Sequence, residues 1–566
     1  LGTNGAASAA PVPRREEIVE AAPPQQQPAP PDDDAQPPAE IPPEAYRIEL
    51  WPEYLEIHDR LRVIQSTGAN PYHRVHEAHN RDVTVVEGQE VVNFASFNYA
   101  GLASHPLVLR AAHEALDLYG ASSSATPLLL GETPLHVELE QEIASFLDTD
   151  DAMIFASGHA TNVTVVGHMM KAGDLIVHDE LIHDSTVRGA LLSGAKRIAS
   201  RHNDCDALDA ILTRLRPRFR RVLIAIEGVY SQDGDIPDLP RYIEIKKRHK
   251  AFLLVDEAHS IGVLGAHGAG VGEHFGVPAS DVDLWMGTLS KGLGSCGGYI
   301  AGQSKILQFL KFTAPGYIFG TSISPANAAA ALAAVRVLKT SPEVSARVRD
   351  NAKLFVEMAR QRGLDTGRSS GSAVIPIMVG SLERAVRLSN ALLRRGINVM
   401  PIGYPAVPAD QARLRFFVNT SHTAEQMRFA LDTLTAEMAD LWFHSMVALA
   451  HFDLSPALAI PQALELVQTA AQTTLPIVLV CDCNANPDAP NDPIFQTYPA
   501  YLLLKNAGFV DAFRTARPND PGFTFGQAEN LLNITSTMSH RIDLVQYRGP
   551  FKVEVDLMQP LDPEKK

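Results

Sequence analysis

Three residues carry the chemistry that this sequence suggests first. Asp256 and His259 stand three apart in "LLVDEAHS", and Lys291 follows in "GTLSKGLGSCGGYI". A carboxylate at a strand end and an imidazole three residues on can hold two edges of one aromatic ring. A carboxylate that faces a pyridine nitrogen keeps it protonated, and a protonated ring is a stronger electron sink. A lysine among hydroxyls and glycines can form an imine with an aldehyde, above all when desolvation lowers its pKa. Two further stretches fit the same picture. "FASGHATN" runs from a strand through small residues to a helix start, so Ser157, Gly158 and His159 offer a hydroxyl and N–H groups to a phosphate. "HDELIHDST" places His183 after a strand, available to stack on a flat ring. Read singly, each stretch is a common surface pattern. Their order and separation are what make them a site.

The elements that must position these residues are legible from periodicity. From about 47 to 345, short buried-type strands ("DAMIFAS", "DLIVHD", "RVLIAIEG", "AFLLVDEA", "GGYIAG") alternate with amphipathic helices ("TPLHVELEQEIASFL", "LPRYIEIKKRHK"). That alternation predicts an α/β domain with a mostly parallel sheet, whose ligands sit where strands end and helices begin. The glycines around Lys291 are expected to let the chain turn closely about a phosphate-bearing ring. Residues 346–442 read as a smaller α+β domain. Residues 1–46 are a disordered proline-rich linker by composition, rich in proline, glutamine and acid. Residues 443–566 have a different texture and are read as a separate partial α/β segment.

Bulk numbers narrow the class. At 566 residues, two to four domains are expected. A net charge of −16 argues against a general nucleic-acid binder. Four scattered cysteines do not make a disulfide framework and suit a reducing compartment. No apolar run is long enough to span a bilayer, and no signal pattern opens the chain, so a cytoplasmic enzyme is expected. The missing initiating methionine and the proline-rich start suggest a piece of a longer polypeptide, tethered to an upstream module.

The motifs together resemble the α-oxoamine synthases, pyridoxal-phosphate (PLP) enzymes of fold type I. This group includes the 8-amino-7-oxononanoate synthases and serine palmitoyltransferases. The resemblance covers about residues 50–442. It rests on "VNFASFNYAGLASHP", "YGASSSATPLLLGETPLHVELE", "SGHATN", "HDELIHDS", "RHND", "EGVYSQDGDIPDLP", "VDEAHSIGVLGAHGAG", "GTLSKGLGSCGGYIAG" and "YPAVPADQARLRFFVNTSHT". It implies Lys291 as the residue that holds the cofactor as an imine and later serves as acid and base. Asp256 is implied to face the pyridinium nitrogen, His259 the ring hydroxyl, and His183 the ring face. Ser157, Gly158 and His159 are implied to line the phosphate, with Ser231 and Thr288 completing the pocket. Thr321 resembles the residue that reaches the phosphate of a neighbouring subunit, and Arg415 the one that clamps the amino-acid carboxylate. A homodimer with shared sites follows from the same likeness. Two positions depart from the pattern. Phe97 stands where the family often has asparagine, leaving Asn98 as a substitute substrate contact, and Pro127 stands where arginine is common.

The implied reaction condenses an α-amino acid with an acyl thioester, with decarboxylation, to an α-amino ketone. The thioester is carried on coenzyme A or on an acyl carrier protein. The proline-rich start resembles linkers after carrier domains in polyketide synthases and favours the carrier. An aminotransferase or a carbon–carbon lyase is the alternative within the same cofactor class. Beyond 443, "LPIVLVCDCNANPD" and "SHRIDLVQYRG" resemble the second half of the endonuclease/exonuclease/phosphatase family. Asp482 and Asn484 match its strand-end Asp-x-Asn, and Asp543 its second strand. These residues suit Mg²⁺ and a phosphodiester. The first half with its metal-binding glutamate, and the closing histidine, are missing, so a remnant without activity is the expectation there.

Overall fold

The computed structural model describes residues 41–66, 68–447, 477–482, 510–511 and 543–548. Residues 1–40 of the expected linker lie outside the described residues, and 41–46 are exposed around a single 3₁₀ turn. The chain divides into two compact units, one up to Asp432 and one from Thr433. The first opens with α1 (Pro52–Ser66), the hairpin β1 (Val83–Val86) and β2 (Gln89–Asn93), then α2 (Pro106–Tyr119) and α3 (Pro134–Phe146). The alternating series follows: β3 (Asp151–Phe155), α4 (Gly158–Met169), β4 (Leu175–Asp179), α5 (Asp184–Ser193), β5 (Lys196–Ser200) and α6 (Cys205–Leu215). It continues through β6 (Val222–Glu227), α7 (Leu239–His249), β7 (Phe252–Asp256), α8 (Val271–Phe275), β8 (Leu284–Thr288) and β9 (Gly298–Gly302). Helices α9 (Ser304–Thr313), α10 (Pro315–Ile318) and α11 (Pro325–Thr340) close the large part.

The strands β3 to β9 form one sheet in the order β3-β9-β8-β7-β6-β4-β5. All pair in parallel except β9, which runs against both β3 and β8. The apolar runs explain it. Every residue of β4, β6 and β8 is buried, as expected of strands covered on both faces. Alternate residues go to opposite sides. Val222, Ile224 and Ile226 pack with Leu253 and Val255 in one core, and Leu223 and Ala225 with Ile176 and Leu254 in the other. The helices between strands start on side-chain caps: Ser157 for α4, His183 for α5, Asp204 for α6 and Asp238 for α7. The caps of α4 and α5 are therefore also expected site residues.

The smaller part contains α12 (Pro342–Gln361), β10 (Val374–Gly380), α13 (Leu382–Arg394), β11 (Ile397–Asn398), β12 (Met400–Ile402), β13 (Ala412–Phe417) and α14 (Ala424–Val447). β10, β13 and β12 make an antiparallel sheet. β11 pairs in parallel with β2, so residues near 92 join a strand near 397. Periodicity along the chain has no means of showing that long-range pairing. The texture change expected at 443 falls within α14. No described helix is long and apolar enough to cross a membrane.

In the second unit, β14 (Ile477–Asp482), β15 (Val510–Asp511) and β16 (Asp543–Arg548) are antiparallel in the order β14-β16-β15. The register sets Asp482 opposite Asp543. Asn484, the third residue of that expectation, lies outside the described residues. Among the described residues no cluster of His, Cys, Asp or Glu is arranged to hold a metal.

Candidate active site

The carboxyl ends of β4, β6, β7 and β8 bring the expected residues to one edge of the sheet. Asp256 ends β7, buried, and its two oxygens are held apart by different donors. Oδ1 accepts from the backbone N–H of Ala258 at 2.9 Å, and Oδ2 from Nδ2 of Asn162, on α4, at 2.7 Å. The same Asn162 amide donates to Ser185 Oγ at 3.0 Å, and Ser185 Oγ lies 2.7 Å from His183 Nδ1. One hydrogen-bonded chain thus fixes both the carboxylate and the imidazole expected to face a planar ring. Burial, with Lys291 and His159 nearby, holds His183 below its ordinary pKa, against the pull of Asp256.

Lys291 Nζ lies 2.8 Å from His259 Nε2, and His259 Nδ1 lies 2.7 Å from the hydroxyl of Tyr99. Burial lowers the Lys291 pKa to about 8, partly opposed by Asp256 and Glu227. Burial and the neighbouring Lys291 also push His259 well below its ordinary value, so its ring is neutral. A neutral imidazole can accept from the amine, and an amine of lowered pKa has an appreciable nucleophilic fraction near neutral pH. The Phe97 ring lies 5.4 Å from Lys291 Nζ and 4.7 Å from the Phe417 ring. It walls the site where the family often has asparagine.

The glycines beside Lys291 have a packing role. A side chain on Gly292 would collide with the carbonyl of Ile261, and one on Gly294, at φ +61°, with the backbone of Ala103. Glycine here lets the Lys291 turn pack against two other backbone segments, the turn after His259 and the loop after Tyr99. The three segments that carry Lys291, His259 and Tyr99 are held together by backbone contact.

Ser157 caps α4, its Oγ accepting from the N–H of Ala160 at 3.1 Å. A Cβ on Gly158 would meet Thr288 at 3.0 Å, which puts the start of α4 beside the end of β8. His159 is exposed on the first turn of α4. Ser231 is buried, and its N–H donates to Glu227 Oε2 at 3.0 Å. Arg415 on β13 donates to the Ser231 carbonyl at 3.0 Å, while its Nε is buried without a partner. Burial lowers its pKa to about 10, so it stays charged near neutrality. Thr321 is exposed, next to Ser322, whose N–H donates to the Ala125 carbonyl. Asn98 Oδ1 accepts from the N–H of Ala103, and its Nδ2 donates to the Asn80 carbonyl at 3.4 Å. Its neighbour Phe97 faces Lys291.

Sequence reasoning passed over Glu227, Tyr99 and Asn162, although all three lie in quoted motifs. Glu227 ends a fully buried strand beside Asp256, and burial with that like charge raises its pKa well above the ordinary carboxylate value. A carboxylate closing an apolar run is the signal that singled out Asp256, and it selects Glu227 equally.

Pyridoxal phosphate suits this cradle. An amine, a carboxylate, a neutral imidazole and the start of α4 converge, and Asn162 Oδ1, Glu227 Oε1 and Arg415 Nε are buried without partners around them. The family comparison agrees. Residues 89–434, more than half of the chain, match the aminotransferase class I and II family. The 8-amino-7-oxononanoate synthase of Thermoanaerobacter pseudethanolicus is 34% identical over 66% of this chain and 94% of its own length. That of Geobacter sulfurreducens is 41% identical over 61% and 88%. The serine palmitoyltransferase of S. paucimobilis, solved with PLP bound, superposes with a TM-score of 0.66 at 30% identity, covering 68% of this chain and 97% of that one. The chain belongs to the aminotransferase class I and II family, as a fold type I enzyme of its PLP-dependent α-oxoamine synthase group.

Proposed function

We propose that the chain joins an α-amino acid to an acyl thioester carried on an acyl carrier protein, releasing carbon dioxide and an α-amino ketone. The observation that carries this reading is the buried amine of Lys291, lowered to about 8, held by His259 and opposed by Asp256. When bound, pyridoxal phosphate supplies the electron sink that makes the substrate α-carbon acidic. Lys291, Asp256, His259, His183, Ser157, Gly158, His159, Ser231 and Thr288 would hold it. Thr321 would serve the site of a second copy.

The chain's own residues do the rest. Arg415 binds the amino-acid carboxylate, with Nε free to form the second arm of a bidentate pair. Lys291 takes a proton from the α-carbon and returns one after carbon dioxide leaves. Its pKa near 8 keeps both protonation states populated near neutral pH. Asp256 would balance positive charge on the bound cofactor's ring nitrogen, and the Asn162 and Ala258 hydrogen bonds hold its carboxylate in place. The Phe97 ring stands over the amine, and Phe417 packs against that ring. The acidic, proline-rich segment before residue 47 supports a tethered carrier as acyl donor over coenzyme A. Homodimerisation is supported by Leu129, Leu130 and Phe319, which stand exposed on the two segments joined at Ser322 and Ala125.

The test is a panel of amino acids added to the PLP-loaded protein, with and without acyl-coenzyme A or an acyl carrier protein. The expected result is a visible-absorbance change with one amino acid and an amino ketone only when thioester is present. A keto acid as product would instead favour the aminotransferase alternative.

A further inference from the structure

The sequence "RHND" has no part in the chemistry above, yet its histidine sits in two buried ion pairs of the large part. His202 follows β5. Its Nδ1 lies 2.8 Å from Asp179 Oδ1, at the end of β4, and its Nε2 lies 2.7 Å from Asp235 Oδ2, in the loop after β6. The ring is 4% exposed and rests edge-on against Tyr230 at 4.4 Å. Asn203, next in the chain, repeats the bridge. Its N–H donates to Asp179 Oδ2 at 2.8 Å, and its Nδ2 to Asp235 Oδ2 at 2.7 Å.

The loop thus gripped, residues 230–235, is gripped equally from its other side. Arg415 donates to the Ser231 carbonyl, and Arg413 donates to the Gln232 carbonyl at 3.1 Å and to Asp233 Oδ1 at 2.9 Å. At its tip Gly234 has φ +70° and leaves no room for a side chain against the Val374 carbonyl, while Ser372 Oγ donates to the Gly234 carbonyl at 2.8 Å. The loop closes on itself through Tyr230 N–H to the Asp235 carbonyl and Gly234 N–H to the Tyr230 carbonyl. It is a compact wedge between the large sheet and β10–β13. His202 and Asn203 bear on one face of it and the two arginines on the other.

We propose that His202 is a positioning residue for the amino-acid substrate: through the 230–235 loop it sets the place of the Arg415 guanidinium, and so the affinity for the substrate carboxylate. The inference rests on Arg415 as the carboxylate's partner. His202 acts through the loop and touches neither cofactor nor substrate. Two carboxylates on opposite sides require a ring that donates from both nitrogens, which only the imidazolium does. Burial lowers the pKa of His202, but the hydrogen bonds and charges of Asp179 and Asp235 outweigh it and raise it to about 9. A neutral amide cannot replace that double charge-assisted bridge.

The experiment compares His202→Gln, Asp235→Asn and Arg415→Ala in the PLP-loaded enzyme. It uses the amino acid that perturbs the wild-type cofactor spectrum, titrated spectroscopically without thioester. PLP retention, thioester KM and thermal midpoint are measured beside it. For His202→Gln and Asp235→Asn the expected result is an amino-acid Kd raised about tenfold, with PLP affinity and thioester KM changed less than about threefold. A general loss of structure would instead weaken PLP, amino acid and thioester together, and that outcome overturns the proposal. If His202→Gln does not fold, Asp235→Asn decides, since it keeps the Asp179 bond. An unchanged Kd in that variant overturns the proposal. If Arg415→Ala leaves the Kd unchanged, the reading of Arg415 fails. If Arg415→Ala raises it and the two others do not, the His202 inference alone fails.

Discussion

His259 and His202 both have buried rings and follow strands of the same sheet, but one is neutral and the other a cation. His259 lies between an amine and a phenol and is driven well below its ordinary pKa. His202 lies between two carboxylates and is raised to about 9. Burial acts on both in the same direction, so burial does not decide the outcome. The partners do. A neutral ring can change hydrogen-bond partners during a reaction, because the Tyr99 hydroxyl can either accept from Nδ1 or donate to it. A ring locked as a cation between carboxylates cannot, and it serves as a fixed joint.

The largest effects should come from the His259 side of this pair. Lys291→Ala removes the amine that His259 holds. We expect the visible absorbance of the lysine-bound cofactor to vanish and turnover to fall by about three to four orders of magnitude. A coloured, active variant would show that the His259 cluster is not the centre of the chemistry. Asp256→Asn keeps the shape but removes the charge facing the ring nitrogen. Turnover should fall about a hundredfold while PLP remains bound. Parallel assays of turnover and PLP content separate the two effects.

The His202 side should answer through stability. The folded pKa of about 9 lies above the ordinary value of 6.5, so its stabilisation is full below 6.5 and is lost as pH rises through 9. The shift corresponds to about 3 kcal/mol at the low-pH limit. Denaturant unfolding at pH 6.5 and at 9.5 should therefore show wild type losing more stability than His202→Gln over that interval. Equal losses in the two proteins would mean that the joint is not an imidazolium.

The same contrast shows what the sequence discloses. Asp256, His259 and Lys291 were legible because a carboxylate ending an apolar run, an imidazole three residues on and a lysine after the next strand are local patterns. The alternating strands and helices were legible because buried parallel strands are continuous apolar runs. Tyr99 and Arg415 meet the site across 160 and 184 residues of chain from His259 and Ser231. No periodicity carries such distances. The partners of Asn98 were hidden too, since one of them, Asn80, stands 18 residues upstream in another segment. "RHND" was visible as a motif, but its role was not, because the second carboxylate, Asp235, comes from another loop.

Tyr99→Phe tests the outer partner of the neutral ring. It removes one buried hydrogen bond to His259, worth about 1 kcal/mol, so turnover should fall about fivefold with little change in PLP binding. If turnover does not change, the tautomer of His259 is set without the phenol.

The smallest effect concerns the wall above Lys291. Phe97→Ala does two opposed things to the amine. It admits water, which raises the pKa, and it removes an attraction between the ring and the ammonium, which lowers it. The ring centroid is 5.4 Å from Nζ, near the outer limit for such an attraction, which is worth about 0.5 kcal/mol at that range. Burial is the largest cause of the present lowering to about 8, so admission of water should win. The midpoint for reaction of the cofactor-free protein with pyridoxal phosphate, followed against pH, should rise by less than about one unit. A fall would mean that the ring stabilises the ammonium more than it dries it, and Phe97 would then be holding the charged lysine in place.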